Sequence, residues 1–245
     1  MTVHIFLLCY NEELMLPHTL RHYKTNFPNA KITIFDNYST DRSAEIAYAA
    51  GCRVVKYDSN EQQNEQLLIW VRSHMWKDYV DIPSWVIMCD MDEWLDITDA
   101  ELEEEDSKGT TILMTQGFNM VGESQTADYS DISLFDLKRG YYDDNMSKRI
   151  CFKHPTVAIE FWWGAHKCFP HGEIRYSEKT YFLRHYNAIG EAYLISKLQN
   201  RYLRNLENVM HGINGHYTND VEKIKGEYRR FVGMSVDYPM GRYHL

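Results

Sequence analysis

Short apolar runs alternate with amphipathic segments through the first hundred positions of this chain. Val3–Cys9, Lys31–Phe35, Cys52–Tyr57 and Trp85–Cys89 are continuous or nearly continuous apolar stretches of strand length. Runs of this kind, hydrophobic on both faces, are what a parallel sheet covered by helices on each side requires. Between them, the spacing predicts helices over Asn11–Asn26, Ser43–Ala50 and Glu61–Tyr79, with Leu67, Leu68, Val71 and Met75 on one stripe of the third. Gly51 stands where the second helix must stop, and Ser and Asp in Asp36-Asn37-Tyr38-Ser39-Thr40-Asp41 can cap its start. Strand alternating with helix implies an α/β fold with a mostly parallel central sheet and right-handed crossovers.

Beyond position 100 the regularity lapses. Glu101–Asp106 is an acidic run that reads as a solvated helix or loop, and Thr110–Phe118 as another strand. Residues 119–147 are polar, aromatic and turn-rich, suiting a flexible loop over a site. Arg149–Lys153, Val157–Trp162 and Tyr181–Arg184 read as further strands of mixed direction. Two helices follow, Gly190–Met210 and Asp220–Phe231, the first carrying Ile195, Leu198, Tyr202, Leu206 and Val209 on one stripe. The simplest organisation is one catalytic-sized domain over 1–245. Within it, 1–100 forms one half, 101–187 a second, and 188–245 a helical C-terminal appendage.

Composition narrows the class. With 245 residues, 44% hydrophobic and 25% charged, the chain has the make-up of an ordinary globular protein. No apolar stretch is long enough for a transmembrane segment. The N-terminal run lacks a basic leader and reads as a first core strand. The five cysteines are odd in number and scattered without a C-x-x-C pair, which fits reduced thiols and a cytoplasmic setting better than a disulfide framework or a structural zinc. The net charge of −9 is unevenly spread: residues 1–147 hold 11 Lys and Arg against 26 Asp and Glu, whereas 148–185 hold 7 against 3. An acidic half facing a basic half suits a small phosphate-bearing substrate. It does not suit nucleic acid, which needs a continuous basic face.

Chemistry concentrates where strands end. Tyr10-Asn11-Glu12, Asp36-Asn37 and Asp90-Met91-Asp92-Glu93 each follow an apolar run, so a parallel sheet brings all three to one edge, where ligands of such sheets bind. Carboxylates this close repel one another and call for a cation; a hard divalent metal, Mg²⁺ or Mn²⁺, prefers such oxygen ligands and shares them with phosphates. Alternation places Asp90 and Asp92 on the same side. An acidic turn that caps a following helix has the same composition, so the motif alone leaves both readings open.

Taken together, these residues resemble the GT-A glycosyltransferases, in particular family-2-like enzymes and the DUF23 (family 92) group. The resemblance rests on Tyr10-Asn11-Glu12-Glu13, Asp36-Asn37-Tyr38-Ser39-Thr40-Asp41, Asn64, and Trp85–Cys89 leading into Asp90-Met91-Asp92-Glu93-Trp94-Leu95. It covers about the first 100 residues; Gly164-Ala165-His166 and Leu183-Arg184-His185-Tyr186 match less clearly. It implies a GT-A (nucleotide-diphospho-sugar transferase) fold, a UDP-, GDP- or dTDP-sugar donor, and Mn²⁺ or Mg²⁺. By position, Tyr10, Asn11, Glu12, Asp36 and Asn64 line the nucleoside side. Asp90 contacts the ribose or a metal-bound water, Asp92 the metal, and His166 or His185 adds a further ligand; Glu93 receives no role beyond packing or anchoring a loop.

The implied activity is metal-dependent, hexosyltransferase-type transfer of a single sugar to a hydroxyl of a carbohydrate or glycoconjugate acceptor. Lys148, Arg149 and Lys153 are candidates to stabilise the leaving diphosphate. The family's Gln-x-x-Arg-Trp, found in its processive members, is missing from the sequence, which argues against a processive synthase. The base is left among Glu160, Asp128, Asp143 and Asp144, with Glu160 the residue singled out as catalytic beside Asp90 and Asp92. Phe161-Trp162-Trp163 is either a sugar-stacking cluster or core, with at least one tryptophan expected inside. Two other functions stay open: a sugar nucleotidyltransferase, which would carry a glycine-rich basic loop after the first strand, and a non-catalytic carbohydrate-binding protein.

Overall fold

The computed structural model describes residues 1–122, 134–206 and 218–239. Its centre is a sheet in which β1 (Val3–Cys9) lies between β2 (Lys31–Asp36) and β4 (Ser84–Asp90), with β3 (Arg53–Lys56) outside β2, all four parallel. Beyond β4 the direction changes. β8 (Cys151–His154) runs antiparallel to β4 and touches β6 (Ile112–Val121), which pairs in turn with β7 (Arg139–Tyr142). β11 (Tyr176–Ala188) runs parallel to β6 and antiparallel to the short β5 (Glu93–Leu95). β12 (Val236–Asp237) edges β7, while β9 (Val157–Phe161) and β10 (Cys168–Gly172) form a separate hairpin. The α/β class and the largely parallel sheet expected from the sequence are both present.

The continuous apolar runs have the predicted cause. In β1, Ile5, Leu7 and Cys9 join one core, with Phe6 and Leu8 in the other. In β4, Trp85, Ile87 and Cys89 alternate in the same way with Val86 and Met88. The first face is covered by α1 (Leu16–Asn26), through Leu16, Leu20 and Tyr23, and by α2 (Ser43–Ala49). The other is covered by α3 (Glu65–Ser73) and the following 3-10 turn, which bury Val71 and Trp76. A buried side chain of this size contributes roughly 1.5–3 kcal/mol, so two cores sharing one sheet make its central strands the least movable part of the molecule.

Several boundaries differ from the sequence reading, each for a local reason. The first helix starts at Leu16, not Asn11, because Asn11 takes a positive φ of 52° to turn the chain out of β1. The third starts at Glu65: Asn60 and Glu61 also have positive φ, and the Asn64 side chain caps the helix by accepting from the Leu67 amide at 2.9 Å. The acidic run is helical, as α4 (Asp99–Ser107), held by a Thr98–Glu101 capping box. β5 was not anticipated, and β11 is much longer than Tyr181–Arg184. The supposed loop over 119–147 contains the end of β6 and all of β7; residues 123–133 within it lie outside the described residues. Two C-terminal helices, α5 (Glu191–Arg204) and α6 (Val221–Met234), pack on each other through Leu194, Ile224 and Tyr228. Among the described residues no helix is long and apolar enough to cross a membrane.

A row of polar side chains on α1 ties down the segment after β4. Thr19 Oγ1 donates to the Met91 carbonyl (2.7 Å) and Tyr23 OH to that of Glu93 (3.0 Å); His22 Nε2 lies 3.0 Å from that of Leu95. Burial, with Arg184 adding to it, pushes His22 down to about 3. The neutral ring is thus the folded form. An unfolded chain takes up a proton near the ordinary histidine value that the native state refuses, so His22 withdraws stability as pH falls from about 6.5 towards 3. His22→Gln keeps a donor for the Leu95 carbonyl but cannot titrate. Unfolding free energies from urea titration at pH 7 and pH 4 should differ by a few kcal/mol less in this variant than in the parent; equal pH dependence in the two would show that His22 does not govern this limb.

Candidate active site

Strand register assembles the site. Cys9 is opposite Asp36, Leu8 opposite Asp90, and Asp36 opposite Lys56, so the carboxyl ends of the four parallel strands lie along one edge. A cavity of about 790 Å³ opens there. Tyr10, Asn11 and Glu12 line it from β1, Asn64 and Arg72 from α3, and Asp90 and Asp92 from β4. Its far wall is α5, from which Lys197, Arg201 and Arg204 face inward at helical spacing.

The acidic motif is compensated residue by residue. Asp90 Oδ1 accepts from Arg72 Nη2 at 2.6 Å, and its Oδ2 is 3.5 Å from Lys148 Nζ. Glu93 is buried against Lys148 and accepts from the Asp90 amide at 3.2 Å. Asp92 Oδ2 pairs with Lys197 and lies 3.3 Å from His185 Nε2. Burial disfavours ionisation at Asp90, yet Arg72 and Lys148 hold it below the usual carboxylate range; Asp92 is burdened likewise and held down by Lys197 and then His185. Among the described residues Glu12 forms no ion pair as close as these. Burial drives it up to about 7, with Asp92 and Asp90 adding to the rise against Lys197 and Arg201. The cations around this motif come from the chain itself, where the sequence had called for a metal.

His185 arrives by strand pairing: on β11 it stands opposite both Glu93 of β5 and Asn119 of β6. Its Nδ1 is 2.6 Å from Asn119 Oδ1, and the Asn119 amide nitrogen donates to Asp143 Oδ2 at 2.8 Å. This relay orients the ring and presents Nε2 to Asp92. Asp92 and His185 therefore fit two positions of a divalent metal whose remaining ligands come from phosphate or water. Among the described residues no group of three His, Cys, Asp or Glu is arranged to hold an ion by itself.

The other anticipated residues divide. His166 lines the cavity, but its Nδ1 bonds the Asn145 carbonyl (2.7 Å), and its ring lies so close over Gly164 that a Cβ there would meet it at 2.6 Å. Asp36, expected on the nucleoside side, is buried beneath the strand tips and does not line the cavity: Oδ1 accepts from the Ser39 amide, and Oδ2 lies 4.0 Å from Lys56 Nζ. Glu160 is on the exposed side of β9, outside the cavity, so the structure does not bring it to Asp90 and Asp92. Asp143 spends one oxygen on Asn119 and the other on the Asn145 amide; Asp144 is near Gln116, and Asp128 falls outside the described residues. Lys148 reaches the site. Arg149 instead bonds backbone carbonyls of Thr115 and Ser147, and Lys153 pairs with Asp106. Trp162 and Trp163 are both exposed, contrary to the expectation that one would be core, because β9 turns only Phe161 inward.

Arg72, Lys197, Arg201 and Arg204 were not anticipated. The signal was present: Arg72 interrupts the apolar Leu67–Val71 run, and the three α5 cations recur at i, i+4 and i+7. Arg204 stacks on Tyr10 with its guanidinium 3.5 Å from the ring centre and donates to the carbonyls of Glu61 and Gln62. Arg72 Nη1 is buried without a partner among the described residues.

No family model matches the chain. A stretch of 50 residues, 20% of the chain, is 42% identical to Protein RfbJ of Shigella flexneri, and the match spans 39% of that protein's length. Among solved structures, S. aureus TarS 1-349 in complex with UDP-GlcNAc is similar over 94% of this chain and 72% of that one, at 12% identity and a TM-score of 0.47. Glucosyl-3-phosphoglycerate synthase from Mycobacterium tuberculosis, in complex with Mn²⁺, UDP and glucosyl-3-phosphoglycerate, is similar over 47% of this chain and 44% of that one, at 18% identity and a TM-score of 0.32. These are resemblances of fold, to a mixed, largely parallel sheet flanked by helices of the GT-A kind.

The Lys148–Glu93 pair is fully buried, so removing one partner leaves an uncompensated charge. Lys148→Met should destabilise by about 3–5 kcal/mol in urea unfolding. Lys148→Met with Glu93→Leu should recover most of the loss, and a double variant as unstable as the single one would refute the pairing.

Proposed function

We propose that the chain transfers one sugar, of the hexose type, from a nucleoside-diphosphate sugar to a hydroxyl acceptor. The observation that carries this reading is the opposition, across one cavity, of acidic strand ends and the cationic face of α5. Cleaving a sugar–phosphate bond leaves a nucleoside diphosphate whose growing charge must be met by preorganised positive groups. Lys197 and Arg201 stand on that wall. Arg72 Nη1 supplies a buried donor without a partner among the described residues. The β1 and β2 ends furnish the nucleoside side, with Tyr10, Asn11 and Glu12 in the lining and Asn64 at the mouth of α3. The bound UDP and UDP-GlcNAc in the S. aureus TarS structures belong to those proteins, but they make uridine nucleotides the first donors to try.

Asp92 and His185 are the residues that would hold Mn²⁺ or Mg²⁺. When bound, such an ion supplies electrostatic stabilisation of the departing diphosphate. The chain's own part is to orient His185 through Asn119 and Asp143, and to let Lys197 leave Asp92 for a phosphate oxygen. A nucleotidyltransferase is disfavoured because the chain after β1 has neither the glycines nor the basic residues of a triphosphate cradle.

Calorimetric titration of UDP, GDP and dTDP, with and without Mn²⁺, tests the proposal. One nucleotide should bind, and Mn²⁺ should tighten it about tenfold or more, an increment that Asp92→Asn abolishes while leaving metal-free binding intact. Failure of every nucleotide to bind would overturn the donor assignment. Binding that ignores Mn²⁺ would overturn only the metal part. Release of nucleoside diphosphate from the matching sugar donor then reads the transfer chemistry itself.

A further inference from the structure

A second cavity of about 440 Å³ adjoins the first, and Met146, His185, Asn187 and Phe231 line both. Resting on the donor reading above, we propose that this cavity binds the acceptor, and that the acceptor is a sugar bearing a phosphate or carboxylate. Three features support this assignment. The junction is His185, so a molecule seated here meets the site at the end where Asp92 lies. Tyr141, Tyr142 and Phe231 give the cavity aromatic walls of the kind that receive the C–H face of a sugar ring, with Tyr141 and Phe231 already stacked at 5.3 Å.

The third feature is its polar equipment. Asn187 Oδ1 is buried and receives no hydrogen bond among the described residues, an arrangement costly enough that a ligand donor is the natural partner. A hydroxyl is such a donor. Asp143 also lines the cavity, but both its oxygens are taken, by the Asn119 amide and the Asn145 backbone. Among the described residues Arg230 on α6 is the one Lys or Arg side chain in the lining, and its planar fork matches a phosphate or carboxylate in two hydrogen bonds. The volume admits one monosaccharide with its anionic substituent and little more.

The probes are glucose 6-phosphate, glucuronate and glucose, titrated into the full chain saturated with its nucleotide. At least one anionic sugar should bind about tenfold tighter than glucose. Arg230→Gln, at an exposed position that does not threaten folding, should remove that preference. Asn187→Ala should weaken all three sugars several-fold, and Arg230→Gln, whose residue lines the second cavity and not the first, should keep parental nucleotide affinity. Glucose binding as well as the anions, or a preference that survives Arg230→Gln, would overturn the proposal even with nucleotide bound normally. Loss of nucleotide binding in the parent chain would instead refute the donor reading on which it rests.

Discussion

Four carboxylates converge at one sheet edge, and the molecule is arranged around making that tolerable. Glu12, Asp90, Asp92 and Glu93 approach one another in a setting where Asp92 and Glu93 are almost wholly buried. Ionised groups in such a place survive only with close counter-charges. Arg72 comes from α3, Lys148 from the segment before β8, His185 from β11, and Lys197 from α5. Distant parts of the chain are thus drawn to the tip of β4 by a single electrostatic requirement, and the cavity is what remains between them.

The compensation is uneven, and the unevenness separates structural from working charge. Lys148 and Glu93 are sealed in and serve the fold, holding β8 and the motif together. Lys197 sits on a helix whose attachment is slighter: α5 meets α6 through a three-residue core, and its far end is tied to the 61–63 segment by Arg204 and Asn205. A cation on such a helix can trade a carboxylate for an incoming phosphate without disturbing the sheet. Asp92, paired with both Lys197 and His185, is the residue at which the proposed donor reading puts that trade.

The sheet was legible because its cause is local. A strand buried on both faces must be apolar at nearly every position, and β1, β2 and β4 are; their polar ends announced the edge where a site would form. Asp90, Asp92 and Asn11 were placed at the cavity on that basis, and Asn64 by the family resemblance. The helix starts were less legible, since positive φ at Asn11, Asn60 and Glu61 leaves no clear mark in composition. The long β11 was missed in part because its exposed and half-buried residues, Tyr176 to Thr180, break the apolar pattern that identifies a strand.

What the sequence determined by itself was the order of strands and helices from β1 to β4 and the acidic strand tips, because these follow from periodicity and from where apolar runs stop. The tertiary structure decided which cations answer those acids. Arg72 and Lys197 lie 18 and 105 positions from their partners, and His185 reaches Asp92 only through the pairing of β11 with β5. The same holds for Glu160, whose strand turns it to solvent, and for Asn187, joined to Arg230 only by the folding of α6 over β7. Charge compensation is satisfied in space, by groups whose separation along the chain carries no period.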